Sequence, residues 1–169
     1  MDFHPITDFT VKVHSRCNLN CDYYYEYNQG NSGWTRKPKF MSMPVFRRLC
    51  ERIAEHFAAN DQIEEPFISF HGGEPLMRPP EFFDEAMTLA REIIPKVRFG
   101  LQTNGTLLQP EFVDVFLKHG LRAGVSLDGP EVINDRHRVD HQGRGSFQRL
   151  RRGLKHLRHA RGRDAWGGL

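Results

Sequence analysis

Apolar residues recur along this chain with two alternating periods, and the alternation divides it into repeating units. Phe9, Val11 and Val13 alternate with more polar neighbours up to His14, the period-two pattern of a strand with one buried face. Asn28 to Pro38 is rich in turn formers and reads as a loop. From Ser42, placed as an N-cap with Pro44 in the first turn, the residues Phe46, Leu49, Cys50, Ile53 and Phe57 recur at helical spacing. Pro66 to Phe70 is a short β-type run ending in His71-Gly-Gly-Glu-Pro75, and a helical pattern follows from about Pro80 to Ile94. Val97, Phe99 and Leu101 alternate into Thr103-Asn-Gly105, after which Pro110 opens a helix carrying Phe112, Val113, Phe116 and Leu117, closed by Gly120. Arg122 to Leu127 gives a fourth strand reaching Asp128-Gly-Pro130, and Ser146 caps a last helix with Phe147, Leu150, Leu154 and Leu157 on one face.

Strands that alternate with helices indicate parallel βα units, so the expected class is α/β, a partial (β/α) barrel of about four units. Eight such units take ~250 residues and four need roughly 125, so the chain holds four and is read as one domain over 1–169. Asp164-Ala-Trp-Gly-Gly-Leu169 reads as adding no fifth strand, and an open four-stranded sheet leaves an apolar edge, so the expectation is either a protein partner that covers it or a truncated barrel. In parallel sheets ligands bind at the carboxyl ends of the strands, and every suggestive motif here falls at such an end.

Charge alters this picture only at the last helix. From Arg149 to Arg163 there are seven Lys or Arg and no acid, so the net charge of +3 belongs to that segment and the remainder is slightly negative. With no aromatic residues interleaved before Trp166, the run reads as a solvated helix face rather than a nucleic-acid contact, and a nucleic-acid-binding module is the weakest of the functional alternatives. No apolar run approaches the ~20 residues needed to cross a bilayer. Met-Asp-Phe-His-Pro lacks the basic-then-apolar order of a secretory signal, and three cysteines suit a reducing compartment, so the expected location is the cytoplasm.

The chemistry is concentrated in Cys17-Asn-Leu-Asn-Cys21-Asp-Tyr-Tyr24, just past the first strand. Thiolates spaced C-x3-C-x2-C can wrap three corners of a cubane cluster, and here the third position holds Tyr24. Phenolate, a hard oxygen donor with an ordinary pKa of ~10, is a poor replacement for a soft thiolate. Cys50 sits on the apolar face of its helix and reads as a small core residue rather than the absent ligand. His14, His71, His137 and His141 read as surface or loop histidines, with His14 the nearest to a substitute ligand because it lies three residues before Cys17.

The cysteine loop, Gly72-Gly-Glu-Pro75, Thr103-Asn-Gly105 and Ser126-Leu-Asp-Gly129, one per strand end and in this order, make the chain resemble the radical S-adenosylmethionine (SAM) superfamily from about Phe9 to Arg158. It is similar to the N-terminal part of radical SAM/SPASM peptide maturases, either cyclophane-forming or sulfatase-maturase-like, and Tyr25 through Met41 looks most like maturases that cross-link side chains of ribosomal peptides. The resemblance implies a [4Fe–4S] cluster whose open iron chelates SAM, a ribosomal peptide substrate, an electron donor and reductive cleavage of SAM to a 5′-deoxyadenosyl radical. It implies Cys17 and Cys21 as cluster ligands, and Tyr23, Gly72, Gly73, Glu74, Asn104, Ser126 and Arg138 as cofactor-binding residues, with Glu74 meeting the amino group of SAM and Asp128 lining the site. The family's later barrel units and C-terminal cluster domain are not expected here. The competing expectation is a non-catalytic pseudoenzyme that binds SAM or a peptide, with Tyr24 in the place of the third cysteine.

Overall fold

The structure, a computed structural model, describes residues 5–30, 32–60 and 65–160, leaving aside the side chains of 159 and 160. Strand β1 is Asp8–His14, and after the cysteine loop come the short helix α1, Tyr25–Asn28, and a 3₁₀ turn at Gly33–Arg36. Helix α2 is Met43–Ala58, β2 Phe67–Gly72, α3 Pro80–Ile93, β3 Arg98–Thr103, α4 Pro110–His119, β4 Arg122–Val125, α5 Glu131–His137 and α6 Phe147–Ala160. The four strands form one sheet in the order β1-β2-β3-β4, parallel throughout, as the alternation of strand and helix patterns predicts.

Val11, Phe70, Leu101 and Ala123 lie in one row across the sheet. The period of two sends Val11, Val13, Ile68, Phe70, Phe99 and Leu101 to the face that the helices cover. Consecutive helices α2, α3 and α4 neighbour one another along that face, with Phe46, Cys50 and Ile53 of α2 and Phe83, Ala86, Met87 and Ala90 of α3 in the core. Phe70 is at its centre, stacked on Phe99 at 6.1 Å and edge-on to Phe83 at 5.5 Å, pair geometries worth about 0.5–1.5 kcal/mol each beyond burial. Cys50 is fully buried there, as its place in the helical stripe predicts.

Three local expectations are corrected. The fourth strand stops at Val125 rather than Leu127, whose side chain is nearly half exposed past the last ladder partner. Ser146 precedes α6, but its hydroxyl accepts from Asn134 Nδ2, and Asp135 Oδ1 takes the N–H groups of Ser146 and Phe147, both at 2.8 Å. Helix α5 was not foreseen: it buries only Asn134, so it lacks an apolar stripe, although Pro130, Glu131 and the late Arg136 and His137 are ordinary helix-end signals.

Residues 161–169, which carry the end of the basic run and the tail read as lacking a strand, lie outside the described residues. Within α6, Leu150 and Leu157 are buried while Arg151, Arg152, Lys155 and Arg158 are exposed. Among the described residues no helix is long and apolar enough to cross a membrane.

Candidate functional site

The carboxyl ends of the four strands open into a cavity of about 340 Å³. Its lining includes Cys17, Cys21, Tyr23 and Tyr24 after β1, Gly72, Gly73 and Glu74 at the end of β2, Asn104 after β3, Ser126 after β4, and Arg138 at the end of α5. The candidate ligand and cofactor-binding residues named from sequence therefore share one cavity, drawn from four strand ends by the parallel topology, whereas Asp128, expected to line it, stands behind Tyr23 and Arg138 and is not part of the wall. Leu19, Tyr25, His71, Gln102 and Thr103 complete the wall. Of these, His71 and Gln102 point away from the core by strand alternation, which was the available signal for them.

The cysteine loop is held from both sides. Cys17 Sγ accepts from Leu19 N at 3.4 Å and from Asn104 Nδ2 at 3.7 Å, and burial pushes its thiol up to about 11. Burial also raises the Cys21 thiol. Asn104 reaches Asn18 Oδ1 at 2.9 Å and accepts from Thr106, so the polar strand end serves both as a turn and as a tie to the loop. On the far side Asn20 N donates to Val139 O at 2.7 Å, Leu19 bridges Asp140, and His141 Nε2 lies 3.0 Å from the Cys17 carbonyl.

At the third ligand position Tyr24 Oη donates to the Gly72 carbonyl at 3.1 Å. Burial, reinforced by Glu26, raises its phenol well above the ordinary range, so it stays protonated. Among the described residues no three His, Cys, Asp or Glu side chains gather into a metal-binding group. The residues present do not fit a cluster held by three protein thiolates: two sulfurs face the cavity, and the third corner offers a hydrogen-bond donor.

The glycines serve the chain's own packing. A methyl group at Gly72 would overlap the His14 carbonyl oxygen, and one at Gly73 would overlap the Arg16 carbonyl and the Tyr27 hydroxyl. Their amide neighbours use this proximity, Gly73 N donating to His14 O and Glu74 N to Arg16 O, each at 2.9 Å. Glu74 is 1% exposed, and its carboxylate accepts from Leu76 N at 2.9 Å, Thr103 Oγ1 at 2.6 Å and Asn104 N at 2.8 Å. It fastens the end of β2 to the end of β3. Burial outweighs those three donors and raises the carboxyl to about 7.

Arg138, Asp128 and Tyr23 form a second cluster at the mouth. Asp128 accepts from Tyr23 Oη and from Arg138 Nε, both at 2.7 Å, and the guanidinium stands 5.6 Å from the Tyr23 ring centroid. Burial alone would raise the Asp128 carboxyl, but those two donors hold it below the ordinary range. Ser126 Oγ accepts from Gln102 Nε2 at 2.9 Å, with the Gln102 side chain lying against Gly124.

The histidines differ from expectation at His71, which lies half-buried within β2 rather than in a loop, and more strongly at His14. His14 is buried, with Nδ1 3.1 Å from the Arg16 amide, because the end of β1 is enclosed by the cysteine loop and the turn after β2; burial lowers its pKa. His141 is an exposed loop residue, and His137 is the half-exposed last residue of α5, pairing with Asp22 at 2.9 Å.

Comparison with known proteins agrees with this arrangement. A model of the radical SAM superfamily matches residues 11–168. The chain is 30% identical over 156 residues to the serine-type anaerobic sulfatase-maturating enzyme of Bacteroides thetaiotaomicron, covering 91% of this chain and 37% of that enzyme. It is 33% identical over 141 residues to the serine-type enzyme of Klebsiella aerogenes, covering 82% of this chain and 33% of that one. Among solved structures, native anSMEcpe with bound AdoMet superposes with a TM-score of 0.77 at 27% identity, covering 91% of this chain and 41% of that chain. The same protein with bound AdoMet and Kp18Cys peptide gives a TM-score of 0.75 at 26% identity. The chain thus spans about two fifths of the length of the relatives it matches. With the family model matched over nearly all of its length and its motifs gathered at the strand ends, the chain belongs to the radical SAM superfamily.

Proposed function

We infer that this chain binds SAM in the strand-end cavity, and that its ancestral role is reductive SAM cleavage for radical modification of a ribosomal peptide. The observation that carries the reading is the convergence of four separate strand-end motifs on one cavity of about 340 Å³. Among the described residues Arg138 is the only Lys or Arg lining it, and its Nη groups make no hydrogen bond to those residues, which leaves them for the carboxylate of SAM. Gln102, Ser126 and Asn104 offer neutral polar groups, and Leu19, Tyr23 and Tyr25 offer apolar surface, a mixture that suits a nucleoside with an amino-acid arm. SAM supplies a 5′-deoxyadenosyl group when it is reductively cleaved; this chain's residues bind and orient it and exclude water. A peptide substrate and an electron donor are the partners this reading implies, with a covering protein against the open edge of β4. The cytoplasmic setting is in keeping with free Cys17, Cys21 and Cys50.

A second reading is favoured by the Tyr24 hydrogen bond to Gly72: a protein that binds SAM without cleaving it. Anaerobic cluster reconstitution of the chain beside Tyr24→Cys separates the two, with iron per chain, charge-transfer absorbance and 5′-deoxyadenosine as readouts. The non-catalytic reading predicts little iron and no 5′-deoxyadenosine from the unchanged chain. A full cluster and SAM cleavage in that chain would remove the non-catalytic reading, and failure of Tyr24→Cys to take up iron would place the defect elsewhere than position 24.

A further inference from the structure

Tyr24 does more than occupy a ligand position. Its hydroxyl bonds the Gly72 carbonyl at 3.1 Å, and its backbone N–H closes a turn on Cys21 O at 3.0 Å. One residue therefore joins the cysteine loop to the end of β2, both of which line the cavity. The ring is braced as well, edge-on to Tyr27 at 5.0 Å and to Tyr25 at 5.6 Å. Tyr27 is in turn edge-on to Trp34 at 5.0 Å, and the Arg16 guanidinium stands 4.7 Å from the Trp34 ring centroid. Tyr27 Oη also reaches the Ser15 carbonyl at 3.2 Å, which ties this aromatic row back to the end of β1.

A cluster bound by three thiolates would hold a loop of this kind through its metal. In this chain the corresponding corner is held by the Tyr24 hydroxyl, which donates to the Gly72 carbonyl. We propose that Tyr24 is a metal-free strut, replacing the cluster's third protein anchor and keeping the cavity formed, so that this chain binds SAM in the absence of iron. The inference rests on the SAM-binding reading above and adds to it that the site needs neither a cluster nor a third thiolate to be assembled.

The test is SAM titration by calorimetry into the full chain after chelator treatment, beside the reconstituted chain, with Tyr24→Phe as the variant. Phe keeps the ring packing and removes only the hydroxyl. Hydrogen exchange at the Gly73 and Glu74 amides, measured without SAM, is the second readout. The iron-free chain is expected to bind SAM as well as the reconstituted one. Tyr24→Phe is expected to weaken that binding roughly 3- to 10-fold, the value of one hydrogen bond, and to speed exchange at both amides. SAM binding that appears only after reconstitution would overturn the strut and leave the SAM reading standing. Binding in neither state would overturn both. Tyr24→Phe with unchanged affinity and unchanged exchange would also overturn the strut.

Discussion

Gly72, Gly73 and Glu74 show how one short motif can be fixed by close packing before any ligand is considered. The carbonyls of His14 and Arg16 occupy the space that a Cβ would need at each glycine. Gly72→Ala and Gly73→Ala are each expected to destabilise the chain by about 1–3 kcal/mol through forced backbone shifts, read from the urea midpoint at constant slope. Glu74 adds a pH dependence with a definite sign. Burial puts its carboxyl at about 7 in the fold against 4.5 for the group free in water, so the native state binds the proton more tightly than the unfolded chain does. The stability this group contributes is present below about 4.5 and is lost as pH rises through about 7. The full difference is roughly 3 kcal/mol. His14 and His71, whose pKa values burial lowers, act in the opposite direction, favouring the fold as pH rises. The Glu74 part is therefore the difference in urea midpoint between the wild type and Glu74→Gln across pH 4 to 8, and it is expected to shrink with rising pH. A difference that does not vary with pH would show that Glu74 stays ionised.

At the scale of elements, α6 depends on a cap that comes from outside its own sequence. Asp135 Oδ1 accepts from both Ser146 N and Phe147 N, while Asn134, fully buried, occupies the Ser146 hydroxyl. Asp135→Ala is expected to cost about 1 kcal/mol, a loss of roughly 2–4 °C in Tm, by stranding the two backbone donors, whereas Ser146→Ala leaves those satisfied and acts instead through the buried Asn134 Nδ2, which loses one acceptor. The same contrast separates what could be read in the chain from what could not. The strands, the four main helices and the members of the site were legible because each depends on local pattern: an apolar strand run up to His14, Phe70 or Thr103, then a polar or glycine motif, then a stripe at helical spacing, while the fourth strand was read two residues too long. Long-range partners were not. Glu74 reads as a free carboxylate until β3 supplies Thr103 and Asn104, and Ser146 reads as its own cap until Asp135 is brought beside it. Helix α5 was missed for the related reason that a helix burying one asparagine leaves no hydrophobic stripe to detect.

On the scale of the whole molecule, the cysteine loop is only partly a local structure, since much of what holds it lies more than a hundred residues further along the chain. Asp140 is the centre of that support. Its carboxylate, almost fully buried, accepts from the amides of Gln142 and Arg144 and pairs with Arg144 and with Arg149 of α6, while its backbone bridges Leu19. Val139 beside it receives the Asn20 amide, and His141 reaches the Cys17 carbonyl. The segment from 139 to 144 therefore forms a back wall for the loop and connects it to the last helix. Removing the Asp140 carboxylate should loosen that wall without touching the sheet, whose strand pairs and aromatic core lie elsewhere. Asp140→Ala is accordingly expected to raise the exchange rate of the Asn20 amide at least tenfold, with the amides of β2 and β3 protected as before. It should also weaken SAM binding severalfold, because Cys17, Cys21 and Tyr23 line the cavity from that loop. Uniform loss of protection across the sheet would mean instead that the 139–144 segment supports the fold as a whole, and unchanged exchange at Asn20 would mean that the loop stands on the Tyr24 and Asn104 contacts alone.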